Sequence, residues 1–123
     1  MTVVAQALAE KIARVHGSTE AVRIMRKDVG LTEADVATAT GADKRSVRRW
    51  LQDTRPVRHE RQIDDLRSIV QVLAETLTPD GIRQWLRARN RYLKGDRPLD
   101  ALARGEYDRV QEAAEAFVEG YFV

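Results

Sequence analysis

Cysteine is absent from the chain, which rules out disulfides and thiolate metal sites and fits a reducing compartment. Histidine occurs only as His16 and His59. His59-Glu60 opens like a zinc-binding helix, but Ile63 occupies the place where a second histidine would have to stand. The sequence holds no phosphate-cradling glycine loop and no glycine-centred nucleophile turn. The acidic groups Asp64-Asp65 and Asp108 with Glu112 are expected on exposed helix faces. Catalytic residues, metal ligands and cofactors are therefore not expected, and the chain does not read as an enzyme. Long apolar runs are missing too: nothing approaches the length of a bilayer span, and Met1–Ala9 lacks the basic and apolar regions of a signal peptide. These absences point to a soluble, cytoplasmic protein that does not engage a membrane. Strand-like alternation, internal repeats and low-complexity tracts are missing as well, so the expected fold is all-α.

What is present is helical. Apolar residues make up 43% of 123 positions, enough for one compact unit or two small halves sharing a core. Val4, Leu8, Ile12 and Val15 recur at helical spacing and Gly17 follows as a stop. Ser18 is placed to cap a second helix carrying Val22, Ile24 and Met25. Thr32 starts Thr-Glu-Ala-Asp, a capping-box variant closed by Asp35, and a short helix Glu33–Thr40 ends at Gly41. Asp43 caps the next helix, Lys44–Gln52, and Pro56 disfavours helical geometry at Arg55. The longest helix runs from about Glu60 to Leu77. Its seam of Ile63, Leu66, Val70, Leu73 and Leu77 steps by three and four residues; it covers the domain core or, alternatively, forms a homodimer interface. Thr78-Pro79 opens a helix through Leu86, Asn90–Gly95 is a connection, and Pro98 begins a short helix that stops at Gly105. Glu106–Glu119 is the last helix.

Charge is informative in its distribution. Between Lys44 and Arg58 six basic residues (Lys44, Arg45, Arg48, Arg49, Arg55, Arg58) face one acid, Asp53, the footprint of a polyanion partner. The same stretch follows a helix-turn-helix pattern between Thr32 and Leu51. Ala37 is small where two helices touch, Gly41 admits positive φ, and Val47 and Trp50 pin the second helix. Val36, Ala42 and Leu51 complete the buried side. With these turned inward, Lys44, Arg45, Ser46, Arg48 and Arg49 point outward, as on a recognition helix in the major groove. Residues 1–58 therefore read as a DNA-binding region and residues 59–123 as a second helical domain.

The second region has nearly balanced charge and six of the seven aromatic residues. Trp85-Leu86, Asn90-Arg91-Tyr92-Leu93, Arg97-Pro98-Leu99-Asp100, Gly105-Glu106-Tyr107 with Arg109-Val110, and the final Glu119-Gly120-Tyr121-Phe122-Val123 occur in that order. This ordered set resembles the toxin-binding domain of the Xre/MbcA/ParS antitoxins, and the helix-turn-helix lies N-terminal to it as in that family. The resemblance spans about Thr32 to Val123.

The resemblance implies an antitoxin paired with a RES-domain toxin that consumes NAD, neutralising it by complex formation and repressing its own operon. It places Trp85, Asn90, Arg91, Pro98, Tyr107, Tyr121, Phe122 and Val123 at the toxin interface. The apolar tail Tyr121-Phe122-Val123 either plugs the toxin's active-site cleft or folds back on the core. Trp85 and Tyr107 also suit core positions, and Pro98 suits a helix boundary. The alternative function is a stand-alone repressor whose C-terminal half dimerises or senses an effector.

Overall fold

The computed structural model describes residues 3–52 and 58–120, with side chains from residue 7 onward. Arg55, Tyr121, Phe122 and Val123 lie outside the described residues, as does the side chain of Val4. Eight α-helices and no strand occur among them: α1 Val3–Ala13, α2 Ser18–Lys27, α3 Glu33–Thr40, α4 Lys44–Leu51, α5 Glu60–Ala74, α6 Pro79–Arg87, α7 Pro98–Ala103 and α8 Tyr107–Val118. The all-α expectation holds for the described residues.

The long helix α5 is the axis around which the others pack. Ile63, Leu66, Ile69, Val70 and Leu73 are fully buried, because α1, α2, α3, α6, α7 and α8 all pack against α5. The apolar seam is thus taken up inside the chain. Helix α5 ends at Ala74 rather than at Leu77. The amides of Thr76 and Leu77 both donate to the Leu73 carbonyl, tightening the last turn so that Thr78 can adopt the extended conformation of an N-cap. Half-buried Leu77 then packs under Gly81 in the first turn of α6.

The local signals at α3 and α4 are realised. Thr32 Oγ1 accepts from the Asp35 amide at 3.0 Å and Asp35 Oδ2 accepts from the Thr32 amide at 2.9 Å, a complete capping box. Gly41 closes α3 at φ 77°, in the left-handed region. Asp43 Oδ1 accepts from the Ser46 amide at 2.7 Å and so starts α4. The start of α2 differs from expectation. Gly17, at φ 90°, takes the cap position, so Ser18 is already the first helical residue and its side chain makes no capping bond. Glu20 instead reaches back and accepts from the His16 amide at 3.1 Å.

The two halves of the sequence share one core, which runs from Leu8 in α1 to Ala114 in α8. Helix α7 packs on α3, and α6 is fastened by side chains to the segment before α3 and to the first turn of α3 itself. Arg83 Nη1 donates to the Val29 carbonyl at 2.6 Å, and Arg87 Nε donates to Asp35 Oδ1 at 3.1 Å.

Candidate nucleic-acid and partner interfaces

Helix α4 has two distinct faces. Val47 and Trp50 are buried, against α2 and α3, and the Trp50 ring lies 5.6 Å from that of His59. Lys44, Arg45, Arg48 and Arg49 are exposed on the opposite side, as is Arg58 beyond the helix. The four helical cations are not equivalent. Arg48 Nε is 3.1 Å from both carboxylate oxygens of Glu33, in the first turn of α3. Lys44 and Arg45 form no ion pair with the described residues, and Arg49 donates to Ser46 Oγ at 3.2 Å. Ser46 is half-buried, its amide and hydroxyl both engaged. The amide of Ser46 holds the Asp43 carboxyl below its ordinary range.

Around α6 and α8, Trp85 is buried and stacks at a tilt on Phe117, ring centres 6.4 Å apart. The pair floors a cleft of about 180 Å³ whose rim includes Arg89, Asn90 and Arg91. Three of the residues that the resemblance places at the toxin interface therefore come together here: Trp85, Asn90 and Arg91. Asn90 organises the rim. Its amide donates to the Asp96 carbonyl at 3.0 Å, its carbonyl accepts from the Gly95 amide at 2.8 Å, and its Oδ1 accepts from the Leu93 amide at 3.3 Å. Arg91 is exposed.

Pro98 and Tyr107 lie apart from this cleft. Pro98 is buried at the first position of α7. Tyr107 is half-buried, and its hydroxyl donates to Ser68 Oγ at 3.1 Å, tying α8 to α5. Tyr107 borders a different hollow of about 270 Å³ with Asp65 and Asp108. Asp65 departs from the exposed placement expected of it. It is half-buried, and burial first, then the charges of Asp64 and Asp108, push its carboxyl up against the opposing pull of Arg61.

Several interactions that shape these surfaces escaped sequence reasoning. Asp96 and Glu106 are gripped by Arg104 and Arg109: Arg104 Nη2 lies 2.9 Å and Arg109 Nη1 3.1 Å from Asp96 Oδ2, and Arg109 Nη1 lies 2.8 Å from Glu106 Oε1. The hydrogen bonds from Arg104 and Arg109 hold Glu106 below its ordinary range. Arg109 Nη2 also donates to the Leu93 carbonyl at 2.8 Å, fixing the α6–α7 connection. One signal was available beforehand. From Arg87 to Arg97 five basic residues accompany a single acid, Asp96, a density hidden when charge is averaged over the whole C-terminal half.

No family model matches the sequence, but individual relatives do. A probable mycobacterial cidal antitoxin of Mycobacterium tuberculosis is 45% identical over 98 residues, covering 79% of this chain and 84% of that protein. The chain belongs to this family of antitoxins. The mycobacterial cidal antitoxin MbcA of Mycobacterium bovis is 36% identical over 97 residues, covering 77% of this chain and 86% of its own. Among solved structures, a chain in the crystal structure of the M. tuberculosis MbcT–MbcA toxin–antitoxin complex matches with a TM-score of 0.74 and 33% identity. The match covers 89% of this antitoxin and all of that chain. Antitoxins are not enzymes, and the described residues of the present one are built from helices. No helix among its described residues is long and apolar enough to cross a membrane.

Proposed function

We propose that this antitoxin neutralises a RES-class, NAD-consuming toxin by direct binding, and that it represses its own operon by binding operator DNA. The observation that carries the first part is the likeness of nearly the whole chain to a chain solved in a toxin–antitoxin complex. In this reading residues 59–123 hold the toxin. The cleft floored by Trp85 and rimmed by Asn90 and Arg91 receives part of its surface, while Pro98 and Tyr107 shape the face on which it docks. Gly120, at φ 81°, turns the chain out of α8. The following Tyr121-Phe122-Val123 fills a concave, partly apolar active site and excludes substrate by volume.

In the second part, residues 1–58 carry the DNA-binding function. The α3–α4 pair acts as a helix-turn-helix, and the outer face of α4 enters the major groove. Arg45 and Arg49 contact bases or phosphates, with Lys44, Ser46 and Arg48 beside them. Arg55 and Arg58 contact the backbone.

Co-expression with the adjacent toxin gene, followed by size-exclusion chromatography and measurement of cellular NAD, tests the first part. A stable complex and preserved NAD are expected. A chain ended after Glu119 is expected to retain its melting temperature and to lose much of its protection. Full protection without the tail overturns the plug, and no complex at all overturns the toxin reading. For the DNA part, the Arg45→Ala, Arg49→Ala double variant is titrated on the upstream promoter fragment. Loss of sequence preference supports the reading, and unchanged affinity overturns it.

A further inference from the structure

We infer that the connection between α6 and α7 is a second DNA-contacting element, in which Arg89 and Arg97 bind backbone phosphates beside the stretch read by α4. The inference rests on the operator-binding reading and extends it to a part of the chain with no other assigned nucleic-acid role.

Three observations carry it. The first is charge. Arg89, Lys94 and Arg97 are exposed and form no ion pair with the described residues, and the local acid Asp96 is held by Arg104 and Arg109. The connection therefore presents unneutralised cations, as a phosphate-binding surface requires.

The second is position. The first turn of α3 is gripped from both sides: Glu33 by Arg48 of α4, and Asp35 by Arg87 at the end of α6. Helix α4 and the end of α6 are thus both tied to the first turn of α3. Arg89 follows Arg87 by two residues, and the bond from the Asn90 amide to the Asp96 carbonyl brings Arg97 next to it. In helix-turn-helix docking, elements flanking the recognition helix meet the sugar–phosphate backbone. The two acids that would repel it here are already paired.

The third is rigidity. Asn90 closes the connection by hydrogen bonds to three residues, Leu93, Gly95 and Asp96, Leu93 is fully buried within it, and Arg109 fastens the Leu93 carbonyl. Lys94 holds a left-handed φ of 56°. A preorganised loop loses little conformational entropy when it meets a duplex.

The occupant that fits Arg89 and Arg97 is a repeating line of single negative charges, the DNA backbone. Phosphate contacts carry no sequence information but set the salt dependence of binding. The test uses the full chain, the upstream promoter fragment and an unrelated duplex of equal length, with affinities followed by fluorescence anisotropy across a salt series. An Arg89→Gln, Arg97→Gln variant with an unchanged melting temperature should weaken both duplexes by the same factor. It should also lower the slope of log affinity against log salt by about 1.8, or 0.9 per phosphate contact. The Arg45→Ala, Arg49→Ala variant should instead erase the preference between the duplexes. A wild-type slope in the Arg89→Gln, Arg97→Gln variant, with DNA bound normally, overturns this inference and leaves the operator reading standing. So does a variant that keeps DNA and loses only the toxin. A wild-type chain that binds neither duplex overturns both.

Discussion

Asp35 and Arg87, 52 residues apart, are joined by a side-chain ion pair with hydrogen bonds from two guanidinium nitrogens, Nε and Nη2. The same carboxylate closes the capping box of α3 through the Thr32 amide. One side chain therefore both starts the first helix of the candidate DNA-binding pair and anchors the end of α6.

Burial alone would raise the Asp35 carboxyl, but the Arg87 guanidinium and the Thr32 donors outweigh it and leave the group below its ordinary range. A depressed carboxyl adds stability that is fully present above the unfolded value, about 3.9, and is lost as pH falls through the folded value. Asp35→Asn should therefore destabilise the protein at neutral pH by about 2 kcal/mol, since the lost bonds are to a charged group. The acid limb of stability against pH should also flatten below about pH 4. Urea melts across the pH range check both, and an unchanged acid limb would refute the assignment.

Gly41 tests backbone strain in isolation. A Cβ added there meets nothing within 4 Å, so only the φ of 77° penalises a side chain. Gly41→Val should cost on the order of 1–3 kcal/mol, whereas Gly41→Asn should cost much less, because asparagine tolerates the left-handed region. Thermal melts of the two variants should differ accordingly. Equal losses would mean that something other than φ governs this turn.

Leu73→Ala probes the shared core. Leu73 is fully buried in α5, and truncating such a leucine removes about 2–5 kcal/mol. Because that core runs from α1 to α8, toxin protection and DNA binding should decline together as temperature rises. Loss of one activity well before the other would show that the halves melt separately.

The hydroxyl pair Tyr107 and Ser68 gives a milder test. Tyr107→Phe should cost about 0.5–1.5 kcal/mol, and adding Ser68→Ala should cost little more, since the bond is already gone. Strict additivity of the two changes in a double-mutant cycle would deny that they interact.

The parts legible in the sequence are those written in short-range chemistry. Thr32 with Asp35, Gly41, Asp43 and Thr78-Pro79 mark helix ends because caps act over three or four residues. The seam on α5 announced its burial by periodicity. Ser18 misled because the positive φ of Gly17 moved the bend one residue earlier. The Asp35–Arg87 and Arg48–Glu33 pairs were invisible, since neither spacing follows from any helical or capping repeat. Of the residues that the resemblance puts at the toxin interface, Trp85, Asn90 and Arg91 converge on one cleft. Pro98 and Tyr107 were also readable as structural, and burial at the start of α7 and the bond to Ser68 give that second character a physical form.

Helix α4 packs on α2 and α3, outside the layer of helices that sheathes α5. Its lifting would uncover Val47 and Trp50 while Ile69, Val70 and Leu73 stayed covered by their other neighbours. Amide hydrogens of α4 should then exchange through a local opening of lower free energy than those of α5, which open only with the whole molecule. Helix α4, which carries Arg45 and Arg49, thus opens at a free energy below that of the bundle beneath it, although both are lost together once the shared core melts.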